Sequence, residues 1–191
     1  MNSHIIKACK EGNIVQVSDL LQAGVNPNQV DDWYNSLLHM AVHNGSLEIV
    51  KLLLKAGADI KQVNDLYETP LHWVAYNGYL KIAKLLLKAG ADPKQTNYRE
   101  ETPLHFAAFN GHSDMAKLLL NAGANLKQTN YRGETPLHWA TRNKHEKVIE
   151  LLKSYENKIC SLSLLCLRTI YQEQINTDNI PSMILKWDFH Q

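Results

Sequence analysis

Apolar and polar residues alternate along most of this chain in one recurring phrase. Four words share a frame: "SLLHMAVHNG" (36 to 45), "TPLHWVAYNG" (69 to 78), "TPLHFAAFNG" (102 to 111) and "TPLHWATRNK" (135 to 144). They set His39, His72, His105 and His138 at steps of 33 residues, and Gly24, Gly57, Gly90 and Gly123 recur with the same step. A fixed period of this length marks a stacked repeat, in which each unit buries its apolar face only against its neighbours. The pattern predicts an elongated array.

Local chemistry predicts the contents of each unit. Thr69, Thr102 and Thr135 can cap the start of a first helix. Pro70, Pro103 and Pro136 follow in its first turn, where a missing amide hydrogen costs nothing. A Gly such as Gly78 or Gly111 then turns the chain into an amphipathic second helix such as "LKIAKLLLKAG", ended by a Gly suited to the left-handed cap position. The polar connection "ADPKQTNYREE" completes the unit.

The period and the words TPLH, A-A and LLL-x-A-G-A-D resemble the ankyrin repeat. That resemblance covers residues 1 to 154 and implies an all-α solenoid of helix-turn-helix units with short β-hairpin-like fingers. Five repeats are expected, at 1–33, 34–66, 67–99, 100–132 and 133–154. In the first, Ser3, Ile5 and Ile6 replace the helix-start residues, as suits a terminal unit whose outer face meets water. In the fifth, the second helix reads "EKVIELLKSYE" with no Gly stop, so the regular stack is expected to end there.

In ankyrin-like stacks the finger tips and the solvent side of the first helix line a concave binding surface. Matched unit by unit, these positions are Asp32, Trp33 and His43, then Leu66, Glu68 and Tyr76. The third and fourth sets are Tyr98, Arg99, Glu101 and Phe109, then Tyr131, Arg132, Glu134 and Arg142. Tyr, Trp and Arg are enriched at interface hot spots, and an exposed Trp33 or Phe109 has no folding reason to face water. A client protein is the expected occupant; a solvated surface with incidental aromatics is the alternative. Trp73, Phe106 and Trp139, which follow the repeat histidines, are expected in the core.

The histidines themselves are expected to be structural. Neighbouring helices pack about 8–10 Å apart, too far for successive side chains to share a metal with bonds of about 2.1 Å. The resemblance implies that they hydrogen-bond the turn between units. The sequence holds no Gly-rich phosphate loop, nucleophile elbow or Cys and His cluster, so no catalysis, cofactor or metal is expected.

The residues from 155 to 191 differ in kind. On a helix, Leu162, Leu165, Cys166 and Ile170 share one face while Leu164, Leu167 and Tyr171 fall nearly opposite. Two apolar stripes need two covering surfaces. The order Ser161, Leu162, Cys166, Ile170 resembles the elongin-binding element of a suppressor-of-cytokine-signalling (SOCS) box, and 155–191 would be that small helical module. The resemblance implies that Ser161, Leu162, Leu165, Cys166 and Ile170 engage elongin C, itself paired with elongin B. Downstream, Ile180, Pro181, Ile184, Leu185 and Trp187 match the cullin-contacting segment, in a two or five type left open, with its RING protein. Asp178 and Asn179 stand where a fuller Leu-Pro would be, and Asp188 falls on the last apolar position of the cullin-two type. Two alternatives remain: a plain capping helix pair that ends the stack, and an F-box-like tail.

Charge and cysteines change this picture little. Twenty Lys and Arg against nineteen Asp and Glu create no field for nucleic acid or an anionic membrane. Cys9, Cys160 and Cys166 lack metal-ligand spacing and suit a reducing compartment. The start "MNSHIIKACKEGN" lacks a secretory core, and no apolar run approaches the roughly 18 residues of a spanning helix, so a soluble cytoplasmic protein is expected. Abundant Lys, Asn and Ile suggest an AT-rich microbial genome, in which case the host cytoplasm or nucleus is the expected place of action.

Overall fold

A computed structural model describes residues 2–158 and 161 of the chain. Contacts separate one unit, Met1–Leu152, from a second that begins at Lys153. The helices are α1 (Asn2–Glu11), α2 (Ile14–Gln22), α3 (Leu37–His43), α4 (Leu47–Lys55), α5 (Pro70–Asn77), α6 (Leu80–Lys88), α7 (Pro103–Phe109), α8 (Ser113–Asn121) and α9 (Pro136–Arg142). A further helix, α10, covers 146–158.

The expected Thr caps start α5, α7 and α9, and Ser36 does the same for α3. Ser36, Thr69, Thr102 and Thr135 are N-caps with extended backbone, and each forms a reciprocal capping box with the His three residues on. His takes the place that Glu or Gln usually fills in such a box. In every box the His Nδ1 accepts from the N-cap amide, and in the first Ser36 Oγ also accepts from the His39 amide, which satisfies backbone donors that a helix start would otherwise leave open.

These helices form two layers. α1, α3, α5, α7 and α9 pack side by side in an inner layer, and α2, α4, α6 and α8 pack along an outer one. Small residues at the seam, Ala41, Ala75, Ala107, Ala108 and Ala140, are all fully buried and let the inner backbones approach closely. Leu53, Leu86 and Leu119 fill the space between layers from the outer helices. The amphipathic stripes read from the sequence thus face inward as expected.

The turn inside each pair also couples it to the next. Gly111 adopts φ +73°, and a Cβ added there would lie 2.6 Å from His145 Nδ1. That ring is fixed, because His145 Nε2 donates to the Phe109 carbonyl at 2.8 Å. Gly111→Ala therefore meets both a left-handed backbone and a neighbour that cannot yield freely. A loss of about 2 kcal/mol is expected, read as a lower urea midpoint at unchanged slope.

Between pairs, the connections fold back as fingers. Asn64 Oδ1 accepts from the Leu66 and Glu68 amides at 3.0 and 2.9 Å, closing one finger. Asn97 and Asn130 do the same for the next two, and Asp31 for the first. Adjacent fingers interlock through backbone bonds: Asp65 to the Trp33 carbonyl, Tyr98 to Leu66 and Tyr131 to Arg99, at 3.1 to 3.2 Å. A rigid row of tips results. Among the described residues, no helix is long and apolar enough to cross a membrane.

Candidate functional site

The repeat histidines sit where one unit meets the next. His72 Nδ1 accepts from the Thr69 amide at 3.0 Å, so its proton resides on Nε2, which donates to the Glu101 carbonyl at 3.2 Å. His39 and His105 repeat this with Ser36 and Glu68, and with Thr102 and Glu134. Burial is the main force on all three imidazoles and pulls each down to about 4. They are neutral bridges. His138 makes the same bond to Thr135 but is exposed.

Trp73, Phe106 and Trp139 depart from the expected core placement: each is half-buried. One edge of each ring packs on the histidine of the preceding repeat, with centroids 5.4, 5.8 and 5.4 Å apart. Trp73 and Phe106 also line a groove, and the indole N–H of each Trp needs a polar partner that the apolar seam lacks. Trp73 Nε1 finds Glu68 at 2.8 Å and Trp139 Nε1 finds Glu134 at 3.0 Å. Phe106 has no N–H. Glu101, the matching acid, turns instead to Asn97 at 2.9 Å and is only 6% exposed, which removes it from the expected contact surface.

Two grooves open on this face and share a wall. The first encloses about 290 Å³ between His43, Glu68, Trp73, Tyr76 and Phe106. The second encloses about 360 Å³ between Lys10, Asp31, Trp33, Met40, His43 and Trp73. His43 and Trp73 belong to both and form the wall between them. The aromatic floor extends further, since Phe106 and Phe109 each pack edge-on against Trp139 at 6.2 and 5.6 Å.

Around this floor the other expected positions are exposed, except Glu68 and Glu134, which are half-buried. Trp33 is 62% exposed, and Leu66, Tyr76, Tyr98, Phe109 and Tyr131 lie between 42 and 53%. Lys10 stands 5.6 Å over the Trp33 ring and 2.9 Å from Asp31. Burial pushes the Asp31 carboxyl up, but Lys10 and the Asn35 and Trp33 amides outweigh it and hold it below the ordinary range. At the other end Arg142 pairs with Glu134. Together with the Trp139 and Asn130 donors it lowers that carboxyl to about 2. Arg99 and Arg132 stack on Tyr98 and Tyr131 at 5.0 and 5.2 Å. Asp32 is exposed at the first tip.

The reading from sequence missed two sets of residues. Asp31, Asn64, Asn97 and Asn130 recur at the same 33-residue step and hold every finger, a signal present in plain periodicity. Tyr34 and Tyr67 sit at the tip position where the fourth finger has Gly133, with φ of 59° and 58°, and are 64 and 62% exposed. Bulky residues there cost about 1 kcal/mol each. Two more aromatics face water at a cost to folding.

Ser161 is helical and exposed, and its hydroxyl donates to the Lys158 carbonyl at 2.8 Å. Leu162, Leu165, Cys166, Ile170, Ile180, Pro181, Ile184, Leu185 and Trp187 lie outside the described residues. No group of His, Cys, Asp or Glu among the described residues could hold a metal ion. A family model described as ankyrin repeats in three copies matches residues 5–97 and again 92–162. No curated protein sequence matches the chain.

Proposed function

The chain belongs to the ankyrin-repeat family, and on that premise we propose that it is a non-catalytic receptor of an elongin B/C, cullin and RING ubiquitin ligase. It holds a client protein on its groove face and docks on elongin C through the SOCS-box-like segment that starts at Ser161. The observation that carries client binding is the unused aromatic surface: Trp33 and Tyr76 stand exposed at two adjoining grooves, and Phe109 is exposed on the same row of first helices. Exposed aromatics of this kind are interface material. Ligase recruitment rests on the order Ser161, Leu162, Cys166, Ile170 directly after the array. Joining the two raises the concentration of client lysines near the ubiquitin-carrying enzyme. A cytoplasmic setting fits the free thiol of Cys9, which burial pushes up to about 12 and leaves inert.

One observation favours a second reading. The family match runs to residue 162, across the first two residues of the elongin motif. The terminal helix would then belong to the stack, and the protein would mask its target without delivering it. Size exclusion of the full chain mixed with elongins B and C separates the readings. A ternary complex is expected, and Leu162→Ala with Cys166→Phe should abolish it while leaving the melting of the repeats unchanged. A chain that elutes alone overturns the ligase reading.

A further inference from the structure

The four finger tips read "DWY" (32 to 34), "DLY" (65 to 67), "YRE" (98 to 100) and "YRG" (131 to 133) in equivalent positions. Their chemistry changes once, in the middle of the row. The first two present an acid beside apolar and aromatic groups, and the last two present a Tyr–Arg pair. We propose that Arg99 and Arg132 dock an acidic stretch of the partner protein while Asp32 and Asp65 face its basic flank, so that the surface accepts a charge-segregated segment in one polarity. This deepens the reading of the groove as a client site and rests on it.

Three features carry the assignment. Two further charges on this face are neutralised within the fold, Lys10 by Asp31 and Arg142 by Glu134, whereas Glu68 in the groove wall and Glu100 at the third tip take part in no ion pair among the described residues. Among the described residues Arg99, Arg132, Asp32 and Asp65 take part in no ion pair. All four are exposed. The guanidinium groups are also held in place before binding: both lie over their tyrosines, and Arg132 Nε donates to the Tyr131 hydroxyl at 2.7 Å. Prior ordering lowers the entropy lost when a carboxylate arrives, and Arg suits carboxylates by its forked donors.

Spacing adds the third feature. Each finger is two chain segments wide and abuts the next through the Tyr131 to Arg99 backbone bond of 3.1 Å. At about 4.8 Å per segment, equivalent tips recur at about 10 Å. In a polyproline-type extended chain, residues three apart lie on one side at about 9.3 Å. Two acids separated by two residues therefore meet both arginines, with an apolar residue available to the aromatic floor at Trp73 and Phe106. The acids Asp32 and Asp65 repel a nucleic acid backbone, which favours a peptide over an oligonucleotide as the occupant.

Fluorescence anisotropy of the full chain tests this with labelled peptides. The probe carries two lysines, a central leucine and two glutamates three residues apart, synthesised in both chain directions. Its comparators are a peptide of the same composition with alternating charges and a labelled oligothymidine. One direction of the segregated peptide should bind at least about tenfold more tightly than the alternating one, a difference of about 1.4 kcal/mol. Arg99→Glu with Arg132→Glu should lose that preference and gain affinity for the peptide whose glutamates are replaced by lysine, a gain that also shows the variant folded. Equal binding of segregated and alternating peptides, an unchanged affinity in the double variant, or tighter binding of the oligothymidine each overturns the proposal. Failure here with an intact elongin complex leaves the ligase reading standing; peptide binding without elongin assembly does the reverse.

Discussion

Acidification from pH 7 to pH 5 should lower the urea midpoint of the repeat array steeply, with uptake of up to three protons on unfolding. His39, His72 and His105 are pulled to about 4 in the fold, chiefly by burial. The hydrogen bonds point the same way, since each Nδ1 already accepts a backbone N–H and a proton placed there would face that donor. An unfolded imidazole titrates near 6.5. Above that value both states are neutral and stability is full. Between about 6.5 and about 4 the unfolded chain binds protons that the native one refuses, so stability falls as pH falls. Each histidine contributes about 1.4 kcal/mol per pH unit, or up to about 4 for the three together. A domain of ordinary stability, about 5–15 kcal/mol, would lose a large part of it across this window. Below pH 4.5 the lowered carboxyls of Glu134 and Asp31 extend the loss. A midpoint that stays level from pH 7 to pH 5 would show that the bridges accept protons in place.

The histidines also show how far the sequence could be read. Their step of 33 revealed the repeat, and the Thr-Pro start fixed the helix caps, because both are local in the chain. What depends on the neighbouring unit was harder to see. Trp73 follows a buried His on an apolar helix and reads as core, yet whether its outer edge is covered is decided by the width of the seam and by Glu68. Glu101 reads as a solvent-facing tip like Glu68 and Glu134. It turns inward because the residue five positions on is Phe106, which offers it no N–H.

The finger asparagines are hard to read from sequence for a related reason. Asn in a polar connection is ordinary turn chemistry. Burial of Asn64, Asn97 and Asn130 to 5% exposure or less arises only when the fingers fold and stack. The exposed aromatics are legible as types at repeat positions, but the two adjoining grooves that His43 and Trp73 help to wall are a property of the assembled stack.

The same bridges predict an unequal effect of one substitution at two equivalent sites. His72→Ala removes the acceptor of the Thr69 amide, the donor to the Glu101 carbonyl and the edge packed on Phe106. Two buried backbone groups lose their partners at about 1–3 kcal/mol each, and the vacated ring leaves a void. A loss of about 3–5 kcal/mol is expected. His138→Ala gives up a helix cap on an exposed residue, worth about 1 kcal/mol. In a repeat array stability is the sum of unit terms and neighbour terms, and His72 bridges the third unit to the fourth. Its loss should therefore do more than shift the midpoint: unfolding followed in urea should broaden into two steps, with the units on either side of the broken bridge melting apart. If both variants lose the same amount in one sharp step, the histidines stabilise only their own helix starts, and coupling between units resides in the alanine seam.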